Sequence, residues 1–128
     1  MKQMFFYSMI VMVLLASLTA CSKLEGGLGG KGEIKGQIYS NISGKVLKGS
    51  IVYIKYGADS KPGINASDYN DLQNADSDAK FDFKYLTKGS YYIYATGEEN
   101  GVALIGGVVV ILNEGEIKEN LKITLAPL

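Results

Sequence analysis

Lys80-Phe81-Asp82-Phe83-Lys84-Tyr85-Leu86-Thr87-Lys88-Gly89-Ser90-Tyr91-Tyr92-Ile93-Tyr94-Ala95-Thr96 alternates with a period of two on both sides of a short turn. Phe81, Phe83 and Tyr85 fall on one side of the first run, with Asp82 and Lys84 on the other. A strand with one core face is therefore predicted over 80–86. Thr87-Lys88-Gly89 supplies a tight turn. In the second run Tyr91, Ile93 and Ala95 oppose Tyr92 and Tyr94. Successive strand side chains point to opposite faces, so the first set is placed in the core and Tyr92 and Tyr94 on the outside.

The same period extends in both directions. Ser50–Tyr56 sets Val52, Ile54 and Tyr56 against Ile51, Tyr53 and Lys55, with the β-branched and aromatic content that suits a strand. Glu33–Ser40 places Ile34 and Ile38 on one face, and Ser43-Gly44 and Lys48-Gly49 carry turn chemistry. On the other side, Val102–Leu112 is apolar throughout, with Gly106-Gly107 as an expected bulge or break. Asn113-Glu114-Gly115 is a turn, and Glu116–Leu125 closes with Ile117, Leu121, Ile123 and Leu125. No stretch from Glu33 onward makes an amphipathic helix. The reading is one all-β domain over 33–128, an antiparallel β-sandwich of about seven strands, with a barrel as the alternative. Gly57–Asp78, rich in Asp, Asn, Ser and Gly, is long for a structureless connection and is expected to hold a turn of helix or a functional loop.

Residues 1–32 have a different character. Lys2 precedes an apolar run from Met4 to Leu18, short of the roughly 20 residues that span a bilayer as a helix. Residues 1–20 are read as a secretory signal peptide. Leu18-Thr19-Ala20-Cys21 places small residues before the chain's single cysteine, the pattern of a lipobox, so Cys21 is expected to be cleaved free and acylated. Several acyl chains hold a protein to a membrane without spanning it. Residues 21–32 are then the lipidated Cys and a flexible Gly-rich tether, and the protein is expected in the cell envelope, on the outer membrane, with palmitate among its acyl groups.

Composition excludes several activities. The 13 basic residues are all Lys, matched by 13 acidic ones, and there is no Arg, His or Trp. Balanced, scattered charge lacks a nucleic-acid footprint. The absence of His removes the usual general base and the usual zinc ligand. No cofactor, no metal and no catalytic residue are expected. Asp76 and Asp78, with Asp68, Asn70 and Asp71, form the densest oxygen cluster, but the spacing fails the EF-hand template and such residues serve turns by bonding their own backbone.

Three segments carry a family resemblance: Gly32-Glu33-Ile34-Lys35-Gly36-Gln37-Ile38, Val52–Gly57, and Ala75-Asp76-Ser77-Asp78-Ala79-Lys80-Phe81-Asp82-Phe83 with Lys88-Gly89-Ser90-Tyr91. They resemble the carboxypeptidase regulatory-like, or prealbumin-like (transthyretin-like), domains of small outer-membrane lipoproteins. The family usually has Gly where Ala79 stands. The resemblance implies an accessory sandwich module without catalytic residues. Pilin relatives also imply a Lys–Asn crosslink beside an acid, for which Lys35, Asn120 and Glu98 or Glu99 are the available residues, although the pilins' signature strand is missing.

The expected partners are the membrane, through the anchor, and an envelope protein or a glycan. Tyr53, Tyr92, Tyr94, Val109 and Ile111 make up the candidate binding face, since exposed tyrosines combine apolar area with a hydroxyl. Two readings stay open. The tyrosines either bind a partner or pack across strands, and the outward set of the Val108–Leu112 run is covered either by the 57–78 segment or by a partner.

Overall fold

Residues 25–128 are described by a computed structural model; the expected signal peptide and Cys21 lie outside the described residues. Seven strands follow one another: β1 (Leu28–Ser40), β2 (Ile51–Tyr56), β3 (Asp71–Asn74), β4 (Lys80–Leu86), β5 (Gly89–Glu99), β6 (Val102–Leu112) and β7 (Ile117–Pro127), with one 3-10 turn at Ala66–Asp68. Hydrogen bonding orders them β3-β2-β5-β6-β7-β1-β4. The order folds over where β6 meets β7, paired only at Leu104–Pro127 and Ile105–Ala126. β3-β2-β5-β6 and β7-β1-β4 thus form two layers around one core. Ile34, Ile38, Phe81, Phe83, Ile123 and Leu125 enter it from one layer, and Val52, Ile54, Tyr91, Ile93, Val110 and Leu112 from the other. Each such side chain contributes about 1.5–3 kcal/mol on burial.

The all-β sandwich of seven strands is as expected, but it is mixed rather than purely antiparallel. β1 and β7 run parallel, with Ile38 opposite Ile123 and Ser40 opposite Leu125. Hairpins force antiparallel neighbours, whereas strands from the two ends of the domain meet without that constraint. β3 is a four-residue polar strand inside the segment read as irregular, paired through Leu72–Tyr53 and Gln73–Val52. β5 and β6 pair without interruption through Gly106-Gly107, so no break occurs there.

Two bulges overturn the expected alternation. In β4, Phe83 faces Ile34 and Leu86 faces Gly32, leaving three steps against two. Tyr85 takes up the extra residue at φ 61°, turns outward to 70 % exposure, and leaves the inner position to Leu86. A left-handed non-glycine residue costs on the order of 1–2 kcal/mol. In β7, Asn120 at φ 59° does the same between Lys118 and Leu121. Ile117, expected inside, is therefore half exposed, while Ile123 and Leu125 are buried. Ala79 keeps the left-handed turn at φ 60° with its methyl fully buried, so the turn survives without glycine.

The tether also differs from expectation. β1 begins at Leu28, and Gly27 N donates to the Tyr91 hydroxyl at 2.9 Å. Residues from Gly26 onward are part of the domain because their missing side chains allow backbone to lie on backbone: a Cβ at Gly30 or Gly32 would collide with the Leu86 carbonyl.

The two outermost strands, β3 and β4, are tied by one side chain. Gln73 Nε2 donates to the Asp82 carbonyl at 2.8 Å, and Asp82 N donates to Gln73 Oε1 at 2.6 Å. The amide thus acts as a further strand residue on β4 and blunts its edge. Gln73→Leu is expected to destabilise the domain by about 1–3 kcal/mol, because two part-buried backbone groups lose their partners. Urea denaturation measures the loss, and light scattering should show increased association through the opened edge.

Candidate binding face

The outer face of the four-stranded layer is built by register. Tyr53 on β2 stands opposite Tyr94 on β5, and Lys55 opposite Tyr92. Across β5, Tyr94 faces Gly107, Tyr92 faces Val109 and Ser90 faces Ile111. Tyr53, Tyr92, Tyr94, Val109 and Ile111 therefore share one face, as the alternation predicts. Tyr56 does not join them: it packs edge-on against Tyr91 on the core side.

The loop between β2 and β3 closes half of this face. Tyr69 stacks on Tyr94 with centroids 5.4 Å apart and planes 9° from parallel, and approaches Tyr53 at 5.5 Å. Its hydroxyl donates to the Gly63 carbonyl at 2.8 Å, and Lys61 Nζ lies 4.9 Å from the centre of the Tyr94 ring. Tyr94 is only 3 % exposed as a result. Burial pushes the phenols of Tyr69, Tyr92 and Tyr94 above their ordinary range. Tyr53 and Tyr94 are thus self-packed rather than open. Sequence reasoning missed Tyr69 and Lys61; the available signal was Tyr69 itself, the sole aromatic residue in the polar 57–78 segment.

The cover stops short of β6. Tyr92 is half-buried and leans over Gly107, where any Cβ would meet its hydroxyl. Val109 is 37 % exposed and Ile111 63 %, while Val110 and Leu112 fill the core. The apolar run is thereby resolved: its even members are inside and its odd members open.

The carboxylates are largely held by their own surroundings. Asp76 Oδ1 accepts from Asp78 N at 2.8 Å and Lys80 N at 2.9 Å, bonds that hold its pKa below the usual carboxylate range. Asn70 Oδ1 accepts from Tyr56 N, and Asp68 Oδ2 from Asn65 N. These are turn and cap roles. Among the described residues no group of three His, Cys, Asp or Glu is placed to hold a metal ion. The crosslink trio is not assembled either: Lys35 Nζ lies 3.6 Å from Glu33, and Glu98 and Glu99 sit on β5 of the other layer.

Lys35 stands opposite Asp82 across β1 and β4, and Glu33 is the diagonal neighbour on the same outer face. Burial, then the hydrogen bond with Glu33, raise the Asp82 pKa, while that hydrogen bond first and Lys35 after it lower that of Glu33. Of the two carboxyls, Asp82 is therefore the one whose proton is held more tightly. A raised carboxyl contributes stability that is lost as pH rises through its folded pKa; a lowered one contributes stability that is lost as pH falls through its own. Asp82→Asn removes the ionisation and sets an uncharged amide beside Glu33. Its thermal midpoint is expected to exceed that of the parent at pH 7, and the gain should shrink toward pH 4. Melting curves across that range check the sign.

The outer face of β4-β1-β7, together with the end of the edge strand β3, lines a groove of about 720 Å³. Gln37, Tyr39, Gln73, Asn74 and Asn120 line it together with lysines and acids. Tyr39 donates to Gln37 Oε1 at 2.8 Å, and Lys122 Nζ lies 4.4 Å from the centre of its ring.

These layers and faces define a β-sandwich module with a partly covered apolar face and a groove of mixed lining. No protein-family model and no curated protein matches the chain. Among solved structures it is similar to a candidate carbohydrate-binding protein of Pseudomonas aeruginosa, at 17 % identity and a TM-score of 0.54, over 77 % of this chain and 90 % of that one. It is also similar to the pilus 2b backbone protein of group B streptococcus, at 14 % identity and a TM-score of 0.52, over 75 % of this chain and 42 % of that one. At these identities the likeness concerns the fold.

Proposed function

We propose that this chain is a non-catalytic, lipid-anchored module of the cell envelope, prealbumin-like in type, that docks a protein partner through Tyr92, Val109 and Ile111. The carrying observation is the exposure of Val109 and Ile111 on a face whose remaining aromatic surface the chain covers itself. Apolar side chains left open beside a self-sealed patch mark an interaction surface. Anchoring at Cys21 rests on the apolar run and the Leu18–Cys21 pattern. The non-catalytic reading rests on the lack of His and Arg and on carboxylates engaged in turns and pairs.

Crosslinking in intact cells tests the face. Val109→Lys, Ile111→Lys and Tyr92→Ala, each checked for an unchanged melting midpoint, are expected to lose the adduct formed by the parent protein. Retention of the adduct by all three overturns this surface, as does unfolding of both Lys variants.

A glycan-binding module is the second reading, and the groove favours it. Its amide side chains and Tyr39 suit sugar hydroxyls and ring faces, and a structural relative is itself a candidate carbohydrate-binding protein. On this reading the sugar lies in the groove beside Tyr39 and not on the tyrosine face. Binding on a glycan array that Tyr39→Ala abolishes and Ile111→Lys spares would establish it.

A further inference from the structure

We propose that the end of the domain bearing Leu28, Tyr85 and Ile117 is a membrane seat that rests in the headgroup region of the bilayer carrying the anchor. This inference builds on the reading of Cys21 as the acylated residue. Its first support is reach. Four residues of chain lead from Cys21 to Glu25, a span of at most about 14 Å even when fully extended. Past that point the chain is fastened. Thr87 N donates to the Gly27 carbonyl at 2.8 Å, and the Tyr91 hydroxyl takes Gly27 N and donates to the Thr87 carbonyl at 2.6 Å. Gly26 lies against Gly57 N and the Ser90 carbonyl, and Gly89 against the Glu25 carbonyl, approaches that leave no room for a Cβ. The glycines serve close packing, so the anchor holds one particular end of the domain near the lipid.

Register identifies that end. It carries the start of β1 beside the end of β4 (Leu28–Leu86), the start of β5 beside the end of β6 (Gly89–Leu112), and the start of β7 beside β1 (Glu33–Ile117). The loops at 41–49, 75–79 and 100–101 lie at the other end.

The chemistry of the near end fits a headgroup region. Leu28 is 63 % exposed, Tyr85 70 % and Ile117 50 %. Two of these three are apolar positions turned to solvent by bulges, at Tyr85 itself and at Asn120. A tyrosine with two aliphatic residues is the composition that partitions to a membrane–water boundary. Glu33 and Glu116 at this end are paired with Lys35 and Lys118. Lys31 and Lys88 are exposed there, and so are Glu25 and Glu114. With charge balanced, the seat recognises the interface of a bilayer and does not depend on anionic lipid.

The test uses the acylated protein in phosphatidylcholine vesicles containing a headgroup-quenching lipid. A thiol-reactive fluorophore is placed at Lys88→Cys or, at the far end, at Lys48→Cys, with Cys21 occupied by its acyl group. Quenching at 88 is expected to exceed that at 48 by at least about threefold. The difference should vanish in a Tyr85→Lys, Ile117→Lys double variant that retains its acyl mass and its circular dichroism. Adding phosphatidylglycerol should leave it unchanged. Equal quenching at both positions of the acylated parent overturns the seat alone, as does a double variant that keeps the difference. An intact mass without acyl groups overturns the anchor and the seat together.

Discussion

Phe83→Ala is expected to lower the unfolding free energy by about 3–5 kcal/mol, the cost of removing a buried aromatic side chain and leaving part of its volume empty. Phe83 is 4 % exposed and pairs across to Ile34, which is fully buried. Its ring lies 5.8 Å from that of Phe81 in a tilted arrangement, so the substitution also removes an aromatic contact. A domain of this size commonly holds only 5–15 kcal/mol in total, so the variant sits near the edge of folding. Lys84, the next residue, is exposed and makes one long ion pair to Asp82 at 3.8 Å. Lys84→Ala is therefore expected to change stability by less than about 1 kcal/mol. Paired urea titrations decide the matter. Equal shifts of the two midpoints would mean that β4 packs in a different register.

Under the proposed anchoring, Cys21→Ser is expected to release the protein from membranes completely or to leave it as an uncleaved precursor. The effect is all-or-none because serine cannot carry a thioether-linked diacylglycerol, and each lost acyl methylene removes about 0.8 kcal/mol of membrane affinity. Detergent partitioning and intact mass read it directly. A Cys21→Ser protein that remained cleaved, acylated and membrane-bound would refute the lipoprotein reading. The domain's own stability should not change, since Cys21 precedes the Gly27–Tyr91 fastening.

Strand faces were legible wherever a run kept its period. Phe81 and Phe83, Val52 and Ile54, and Tyr91, Ile93 and Ala95 are all buried, because alternation within one strand is a property of its own backbone. The makeup of the outer face was legible to the same extent: Tyr53, Tyr92, Tyr94, Val109 and Ile111 do share one side of the sheet. Whether each residue is open was not, because Tyr69 reaches Tyr94 from 25 positions away in the chain, through a loop whose path no local pattern records.

The bulges at Tyr85 and Asn120 were equally hidden. Each inverts the alternation of half a strand, yet each exists only because a partner strand runs one residue shorter at that point. The Gly-rich segment 26–32 has the composition of a linker, and only its fit against Leu86, Tyr91 and Gly89 makes it part of the domain. The sequence by itself thus determined the class of fold, most strand positions and their core faces, since these depend on period, turn chemistry and apolar content. Only the tertiary structure decided the parallel pairing of β1 with β7, the outward turn of Tyr85 and Ile117, the covering of half the tyrosine face and the fastening of the glycines. Each of those depends on which distant backbone or side chain lies opposite, a relation set by packing in three dimensions rather than by neighbours in the chain.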